Sequence, residues 1–312
     1  MPGFATEPQL DMEAYNLNRK RSFWETLTSE KYFKWTLIIP LLAILAVFML
    51  YPTFYCIYYS TQRYSMTAPG VFVGLENYRQ VLHDGAFWDA LGRTFKVLVI
   101  CISAELVLGM GIALLFNREF KGQDVVRGLC LLPLLVMPLA LSMEWNFILQ
   151  YDFGVVNQII NALGGAKIDW WMPGRAIYTI CGITIWQWLP FSVFVLLAGL
   201  RGLPKGPFEA AWVVGASAWF TFRKLTLPML SPLIMIIVML RTMWLIRLFD
   251  PLYGTTHGGA GTELLDWMTY RTAFVYFDIG EGSALALVSL FLTIILCAIL
   301  FRVLMKSMGV IK

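Results

Sequence analysis

The chain has little charge, few histidines and no paired cysteines. Charged residues make up 14% and apolar residues 58% of its 312 residues, whereas about a quarter of a typical soluble domain is charged. This fraction of charged side chains is too small to cover the surface of a soluble domain of this size. The composition therefore excludes an ordinary soluble fold and predicts a protein whose solvent is the lipid bilayer.

The chain also lacks the motifs of metal, nucleotide and hydrolytic chemistry. It has no G-x-x-x-x-G-K-[ST] phosphate loop, no H-E-x-x-H and no G-x-S-x-G. Its net charge of +4 is scattered, without the basic block typical of a nucleic-acid partner. We therefore expect no enzymatic activity and no bound cofactor, metal or nucleic acid. The cysteines, which form no CxxC pair and are expected only to pack, are Cys56, Cys101, Cys130, Cys181 and Cys297.

Long apolar runs predict an all-α membrane protein. A helix that crosses about 30 Å of hydrocarbon needs about 20 residues, and about six runs are long enough. We therefore expect a cytoplasmic tail at residues 1–34 with an interfacial helix around Phe23, Trp24, Leu27 and Phe33, a membrane-spanning region at 35–305, and a short cytoplasmic end at 306–312. The predicted spans lie near residues 35–59, 94–116, 129–149, 176–199, 229–249 and 283–305.

The first apolar run is predicted to be a retained anchor, because it is longer than the roughly 7–15 residues of a signal-peptide core. Lys and Arg residues outside the spans are concentrated in the tail, in the turn around residues 118–127, in the 201–228 loop and at the C-terminal end. Positive charge resists translocation. Both termini and the 201–228 loop are therefore expected on the cytoplasmic side.

The 201–228 loop contains the most informative segment, EAAWVVGASAWFTFRKLTLP at 209–228. The pattern predicts a short helix opened by Pro204 and Pro207, a tight turn near Gly215, and a second helix that ends at Pro228. The small side chains leave a shallow surface for a partner, and Glu209 offers a carboxylate. An ordinary amphipathic loop helix is the alternative. The residues predicted to form the docking surface are Glu209, Ala210, Ala211, Gly215 and Ala216.

This segment resembles the EAA loop of the membrane subunits of ABC importers. Other segments resemble the carbohydrate-importer branch that includes the maltose transporter's membrane subunits. Two positions depart from the family pattern: Val214 replaces the usual Asp, and TTHGGAG at 255–261 replaces the usual LTGGGP. The further segments are GLENYRQVL at 74–82, GVVNQIINALGG at 154–165, LRTMWLIRLFDPLYG at 240–254 and YRTAFVYFDIGEGSALA at 270–286.

The resemblance implies one of two different permease subunits that together conduct a sugar or polyol. Two cytoplasmic ATPase subunits, which hold the ATP and Mg²⁺, would drive transport in the inner membrane, and an extracytoplasmic binding protein would deliver the solute. An ABC permease for glycerol phosphate, a polyamine or another non-sugar solute is one alternative. A channel or structural membrane subunit that works without ATP is the other.

Charges inside the apolar runs are expected to have a partner or to face water, because a charge at the bilayer centre costs roughly 2.5–3.5 kcal/mol even on lenient scales. They are Glu105, Glu144 and Arg241. Counting about 1.5 Å per residue gives Arg241 and Glu144 a similar depth, so these two are predicted to pair, either as a structural pair or as a polar lining of the path. Arg247 lies near the outer edge, where it can snorkel.

A solute path for sugars is expected to offer ring faces and hydrogen-bonding groups. Trp186, Gln187 and Trp188 precede Pro190, where a helix distortion frees backbone carbonyls. Together with Asn146 on the third span, they form the predicted solute site. Packing against neighbouring helices is the alternative role for the tryptophans.

Overall fold

The computed structural model describes residues 30–307. The interfacial helix predicted at Phe23, Trp24 and Leu27, most of the predicted tail and residues 308–312 lie outside this part of the chain. The described residues fall into two compact units, which divide between residues 55 and 56 and cover 30–55 and 56–307. In the first, helix α1 (Glu30–Leu45) continues through a π-helical turn (Ala46–Leu50) into α2 (Tyr51–Ser60), and the described side chains from 35 to 55 are all exposed.

The second unit consists mostly of helices, which confirms the all-α prediction. Within residues 30–307, five helices are long and apolar enough to span a membrane, at 38–60, 85–116, 176–202, 218–246 and 279–303. The long helices of this unit are α4 (Gly85–Phe116), α8 (Ala176–Gly202), α11 (Leu227–Ile246) and α14 (Ile279–Ser307). Short helices between α8 and α14 include α10 (Ala218–Thr221), α12 (Asp250–Tyr253) and α13 (Leu265–Tyr270).

The third predicted span, 129–149, is not one straight helix. It is a pair, α5 (Gln123–Leu135) and α6 (Pro138–Ile148), bent by 97° at the junction. Val136 and Met137 are extended there, with ψ of 136° and 128°. Pro138 explains the break, because proline lacks the N–H that would continue the helix and disfavours the helical conformation at the preceding residue.

A small hairpin after α2 was not predicted. Its strands β1 (Gln62–Ser65) and β2 (Ala68–Phe72) are antiparallel, and helix α3 (Glu76–His83) follows. Asn77, 4% exposed, donates hydrogen bonds to the carbonyls of Ser60 (2.9 Å) and Gln62 (2.8 Å). Hydroxyls of Tyr78 and Ser60 are hydrogen-bonded at 2.7 Å. The GLENY segment therefore ties the hairpin to the end of α2.

Asn157, in helix α7 (Val155–Ala162), organises the connection that follows the broken pair. It is fully buried. Its amide donates to the carbonyl of Ile168 at 2.9 Å, and its carbonyl accepts from the backbone N–H of Ile168 and the indole N–H of Trp170. The asparagine of the GVVNQ segment is therefore a structural residue that satisfies the backbone of a buried loop.

The core lies between α4, α8 and α11, with an apolar cluster on each side of its centre. One cluster contains Val97, Cys101 and Ile180; the other contains Met110 and Val193. Small residues let the helices approach closely. A Cβ added at Gly109 would lie 3.1 Å from the Cβ of Ser192 on α8, and one at Gly199 would lie 2.2 Å from a methyl of Leu233 on α11.

Candidate functional site

The 201–228 loop forms the predicted helix and turn. Helix α9 (Gly206–Val213) has Pro207 in its first turn. Gly215 follows with φ of +72°, and its N–H bonds to the carbonyl of Trp212 at 3.0 Å, while the N–H of Ala216 bonds to the carbonyl of Ala211 at 2.9 Å. These two bonds define a Schellman motif, which ends a helix with a left-handed residue that is usually glycine.

The second helix of this loop does not end at Pro228. It begins at Ala218, after Ser217 accepts a hydrogen bond from the N–H of Phe220, and it is helical through residue 246. A π-helical turn at Phe222–Thr226 lies just before the proline. In a π turn a carbonyl accepts from the fifth residue along the chain, so the carbonyl four residues before Pro228 does not need its missing N–H.

The predicted docking residues lie at the surface. Glu209, Ala210 and Gly215 are exposed, and Ala211 and Ala216 are half-buried. The sequence analysis predicted a docking surface of small residues and missed the exposed bulky apolar side chains beside the turn. An apolar patch of this kind marks an interaction site when it lies outside the lipid. The bulky side chains beside the turn, all at least 54% exposed, are Trp212, Val213, Val214, Trp219 and Phe220.

A buried ion pair joins α4 to α11. Arg241 donates from Nε and Nη2 to the two carboxylate oxygens of Glu105, at 2.6 Å each, and their side chains are 1% and 0% exposed. The prediction that Arg241 pairs with Glu144 was wrong. Glu144 lies on α6 beyond the 97° bend and its side chain is exposed, so a depth counted along a straight third span does not apply to it.

Two tryptophans lie against Arg241. Its Cζ is 4.9 Å from the ring centroid of Trp188 on α8 and 5.9 Å from that of Trp244 on α11. The two indole centroids are 4.5 Å apart. Phe191 contacts Trp244 edge to face, with centroids 5.5 Å apart. Trp188 is thus part of an aromatic group around the ion pair, and the sequence prediction did not include Trp244 in it.

The structure separates two of the four residues predicted to form the solute site, Trp186 and Trp188. Trp186 and Trp188 are two positions apart on α8, which places them about 200° apart around the helix. Trp186 is 43% exposed and contacts Trp145 edge to face at 5.4 Å. It lines an apolar groove of about 480 Å³ with Cys130, Pro133 and Leu189 among others. Asn146, on α6, is half-buried.

Gln187 has a bracing role. Its side chain is 2% exposed, and its amide donates to the carbonyl of Val136 at 3.3 Å. Val136 is the residue at which the chain leaves helix α5, so its carbonyl has no hydrogen-bond partner within α5. Gln187 therefore links α8 to the break in the third span.

The loop between α11 and α14 is built around Trp267, which is 6% exposed and stacks on Phe249 with centroids 5.6 Å apart. A Cβ at Gly258 would lie 2.2 Å from the Trp267 indole nitrogen, so the TTHGGAG sequence needs glycine there. Burial raises the pKa of Asp266, although nearby Arg247 acts in the opposite direction. Arg247 itself is exposed.

The arrangement of helices defines a class of fold. A chain in a crystal structure of a bacterial alginate ABC transporter, in complex with a periplasmic protein bound to an alginate pentasaccharide, superposes with a TM-score of 0.77 at 15% sequence identity. The match covers 89% of this chain and 95% of that one. The fold is therefore that of the membrane-spanning chains of ABC transporters.

Sequence comparison identifies the family. Residues 105–308 match the family described as binding-protein-dependent transport system inner membrane component. The trehalose/maltose transport system permease protein MalF of Thermococcus litoralis is 33% identical over 83% of this chain and 88% of its own length. The sulfoquinovosyl glycerol transport system permease protein SmoG of Agrobacterium fabrum is 34% identical over 86% of this chain and 88% of its own length.

The chain therefore belongs to the family of membrane components of binding-protein-dependent transport systems. It is a multi-pass transport subunit and not an enzyme. Membership implies that it works with a solute-binding protein and with an ATPase. These conclusions agree with the resemblance found in the sequence.

Proposed function

We propose that this chain is one of two different permease subunits of an importer in the cytoplasmic membrane, and that its solute is a sugar or a polyol. An extracytoplasmic binding protein delivers the solute to the paired permease subunits. Two cytoplasmic ATPase subunits bind ATP and Mg²⁺ and supply the energy. We expect no cofactor or metal on the chain itself.

The observation that carries this proposal is the agreement among relatives that align over most of the chain. MalF of Thermococcus litoralis is named for trehalose and maltose, and SmoG of Agrobacterium fabrum for sulfoquinovosyl glycerol. The ion pair adds a physical argument. Arg241 is matched by Glu105, so its charge is not offered to an anionic solute such as a glycerol phosphate.

The 201–228 loop supports ATP coupling. A rigid loop passes a movement of the ATPase on to the spans better than a flexible one. The Schellman motif fixes the angle between α9 and the helix that follows it. The exposed Trp212, Val213 and Val214 lie outside the candidate spans and offer an apolar surface to the ATPase. Val214, where the family usually has Asp, makes this contact more apolar.

Reconstitution of the complete importer tests the proposal. The chain is co-purified with its sister permease, ATPase and binding protein, and ATP-driven uptake of radiolabelled trehalose, maltose, glycerol 3-phosphate and spermidine is measured in proteoliposomes. We expect uptake of a sugar that needs ATP and the binding protein. Uptake of only spermidine or glycerol 3-phosphate would contradict the solute class, and flux through the chain without ATPase would favour a channel.

A further inference from the structure

Helix α3 is covered by the rest of the chain on one side only. Asn77 and Val81, four positions apart, are 4% and 0% exposed, and Val81 packs in a cluster with apolar residues of α14. Leu75, which directly precedes the helix, lies on the other side with Arg79 and Leu82, since positions spaced by three or four share one face. All three are exposed. Helix α3 therefore has an outward face that the described part of the chain leaves open.

This outward face is bulky and apolar except for one cation. Leu75 is 71% and Leu82 46% exposed. Trp88, at the start of α4, is 55% exposed, and its indole N–H donates to the carbonyl of Leu82 at 2.9 Å, which holds the ring beside α3. Leu75, Arg79, Leu82 and Trp88 together form the α3 face.

Arg79 supplies the cation of the α3 face. None of the ion pairs within residues 30–307 includes it, so its charge is available to an anion from outside the chain. Leu75 lies one turn before Arg79 and Leu82 one turn after it, so apolar side chains flank the guanidinium on both sides. An anionic group that is attached to hydrocarbon matches this arrangement.

Hydrogen bonds fix the level of α3 in the membrane. Asn77 donates to the carbonyls of Ser60 and Gln62 at 2.9 and 2.8 Å, and the hydroxyls of Tyr78 and Ser60 are 2.7 Å apart. Ser60 is the last residue of the candidate span 38–60. Helix α3 therefore lies where the hydrocarbon ends and the headgroup region begins, which is the level at which tryptophan is enriched in membrane proteins.

The apolar surface of the span continues onto α3. Ile57 and Tyr58, in the last turn of the span that ends at Ser60, are 46% and 58% exposed. The exposed Leu75 follows at the same end of the span. This continuity and the unpaired Arg79 both favour phospholipid as the occupant of the α3 face. The alternative occupant is a protein that docks from the aqueous side, such as the binding protein.

We propose that α3 lies in the lipid headgroup region and that the α3 face binds phospholipid. Leu75, Leu82 and Trp88 contact the parts of the acyl chains nearest the headgroup, and Arg79 binds the phosphate, as amphipathic helices do when they lie in the membrane interface. Because α3 is bonded to Ser60, the contact holds the end of α2 at a fixed depth. The proposal does not depend on the identity of the solute.

Quenching of a fluorescent label tests the lipid contact, in the complete importer in proteoliposomes. Leu75→Cys is labelled with bimane, and the signal of the unsubstituted chain is subtracted. Thr67→Cys, at the exposed turn of the neighbouring hairpin, is the matched control. We expect position 75 to be quenched more by a phospholipid that carries a nitroxide near its headgroup than by aqueous iodide, and position 67 to show the reverse.

Stronger quenching of position 75 by iodide than by the nitroxide lipid would mean that the α3 face contacts water, and would overturn the proposal. Loss of the lipid quenching when the binding protein is added would assign the face to that protein, and would overturn the proposal as well. Lipid quenching that persists with the binding protein bound would support it.

Arg79→Gln tests the phosphate contact. The thermal midpoint of the importer in detergent is measured with phosphatidylglycerol, with a diacylglycerol of the same acyl chains and with inorganic phosphate. We expect the largest rise with phosphatidylglycerol, because only this lipid offers both the phosphate and the chains, and a smaller rise in Arg79→Gln. Lys167→Gln is the matched control, since it also removes one positive charge, but from an ammonium that already donates to the carbonyl of Asp152. It should keep the full rise.

An equal rise in Arg79→Gln and Lys167→Gln would show that Arg79 does not bind the phosphate, which would overturn that part of the proposal. A rise of the wild type with inorganic phosphate as large as that with phosphatidylglycerol would mean that the site takes a free anion. The α3 face would then not be a lipid site.

Discussion

We expect the largest effect of a single substitution on stability at the Glu105–Arg241 ion pair. Arg241→Ala leaves a carboxylate buried without a partner, which typically costs about 3–5 kcal/mol, so the thermal midpoint in detergent should fall. Adding Glu105→Ala should recover part of the loss. The matched control adds Glu144→Ala instead, and because Glu144 is exposed its effect should simply add. Additive loss with Glu105→Ala would contradict the pairing.

Asp266 gives a pH dependence. Burial raises its pKa above the usual value of about 3.9, despite the opposite effect of Arg247, so the folded state favours the protonated carboxyl. This contribution to stability is complete below about pH 3.9 and is lost as the pH rises through the raised pKa.

Asp266→Asn keeps a neutral polar group at this position. We expect a higher thermal midpoint than wild type at pH 7, with a difference that shrinks as the buffer is taken towards pH 4. Asp152→Asn, at an exposed loop position, controls for the general loss of a negative charge. A lower midpoint for Asp266→Asn at pH 7 would show that the charge of Asp266 is stabilising, contrary to the direction expected from burial.

At the scale of an element, the coupling role of the α9 turn depends on backbone conformation. Nothing lies within 4 Å of a Cβ added at Gly215, but its φ is +72°, where a non-glycine residue costs about 1–2 kcal/mol and a β-branched one is an outlier. Gly215→Val should therefore change the angle after α9 without a clash in the spans. We expect normal membrane insertion and loss of solute-stimulated ATP hydrolysis.

Gly202→Val is the matched control for this loop. Gly202 ends α8, has no neighbour within 4 Å of an added Cβ and has no positive φ. It should therefore retain stimulated hydrolysis. If Gly215→Val also retains it, the left-handed turn is not needed for coupling and the assignment of this loop to the ATPase is wrong.

The break in the third span depends on Gln187. Gln187→Met keeps the length of the side chain but leaves the carbonyl of Val136 without its donor; because Val136 is half-buried, we expect a cost at or below the lower end of the about 1–3 kcal/mol typical of a buried group. The thermal midpoint should fall. Gln158→Met is the matched control, since Gln158 makes an exposed bond to the Phe153 carbonyl that water can replace. Equal effects of the two substitutions would argue against a bracing role.

At the scale of the whole molecule, the sequence predicted what depends on composition and local pattern. The apolar runs marked the long helices, and the Gly215 turn followed from its residues. The break at Pro138 could have been predicted from that proline. The partner of Arg241 could not have been predicted in this way. Glu105 and Glu144 both lie within apolar runs, and it is the bend at residues 136–137 that takes Glu144 out of the position counted along a straight span. The grouping of Trp188 with Trp244 depends on helix rotation, which is a tertiary property.

The number of crossings follows from the directions of the helices. Cys101, midway along α4, contacts the carbonyl of Cys181 near the start of α8, and further along both helices Gly109 lies against Ser192. The two helices therefore run in the same direction. Successive spans that run in the same direction need a crossing between them, so the bent pair α5–α6 is expected to cross the membrane, which makes six spans.

Six spans predict that the 201–228 loop and the hairpin lie on opposite sides of the membrane. Thr67 and Ser217 are both exposed, in the hairpin turn and in the loop, and each can be replaced by cysteine. In intact cells a membrane-impermeant maleimide should label Thr67→Cys, whereas Ser217→Cys should be labelled only after permeabilisation. Labelling of both from outside would mean that α5 and α6 form a re-entrant loop. The 201–228 loop would then face away from a cytoplasmic ATPase.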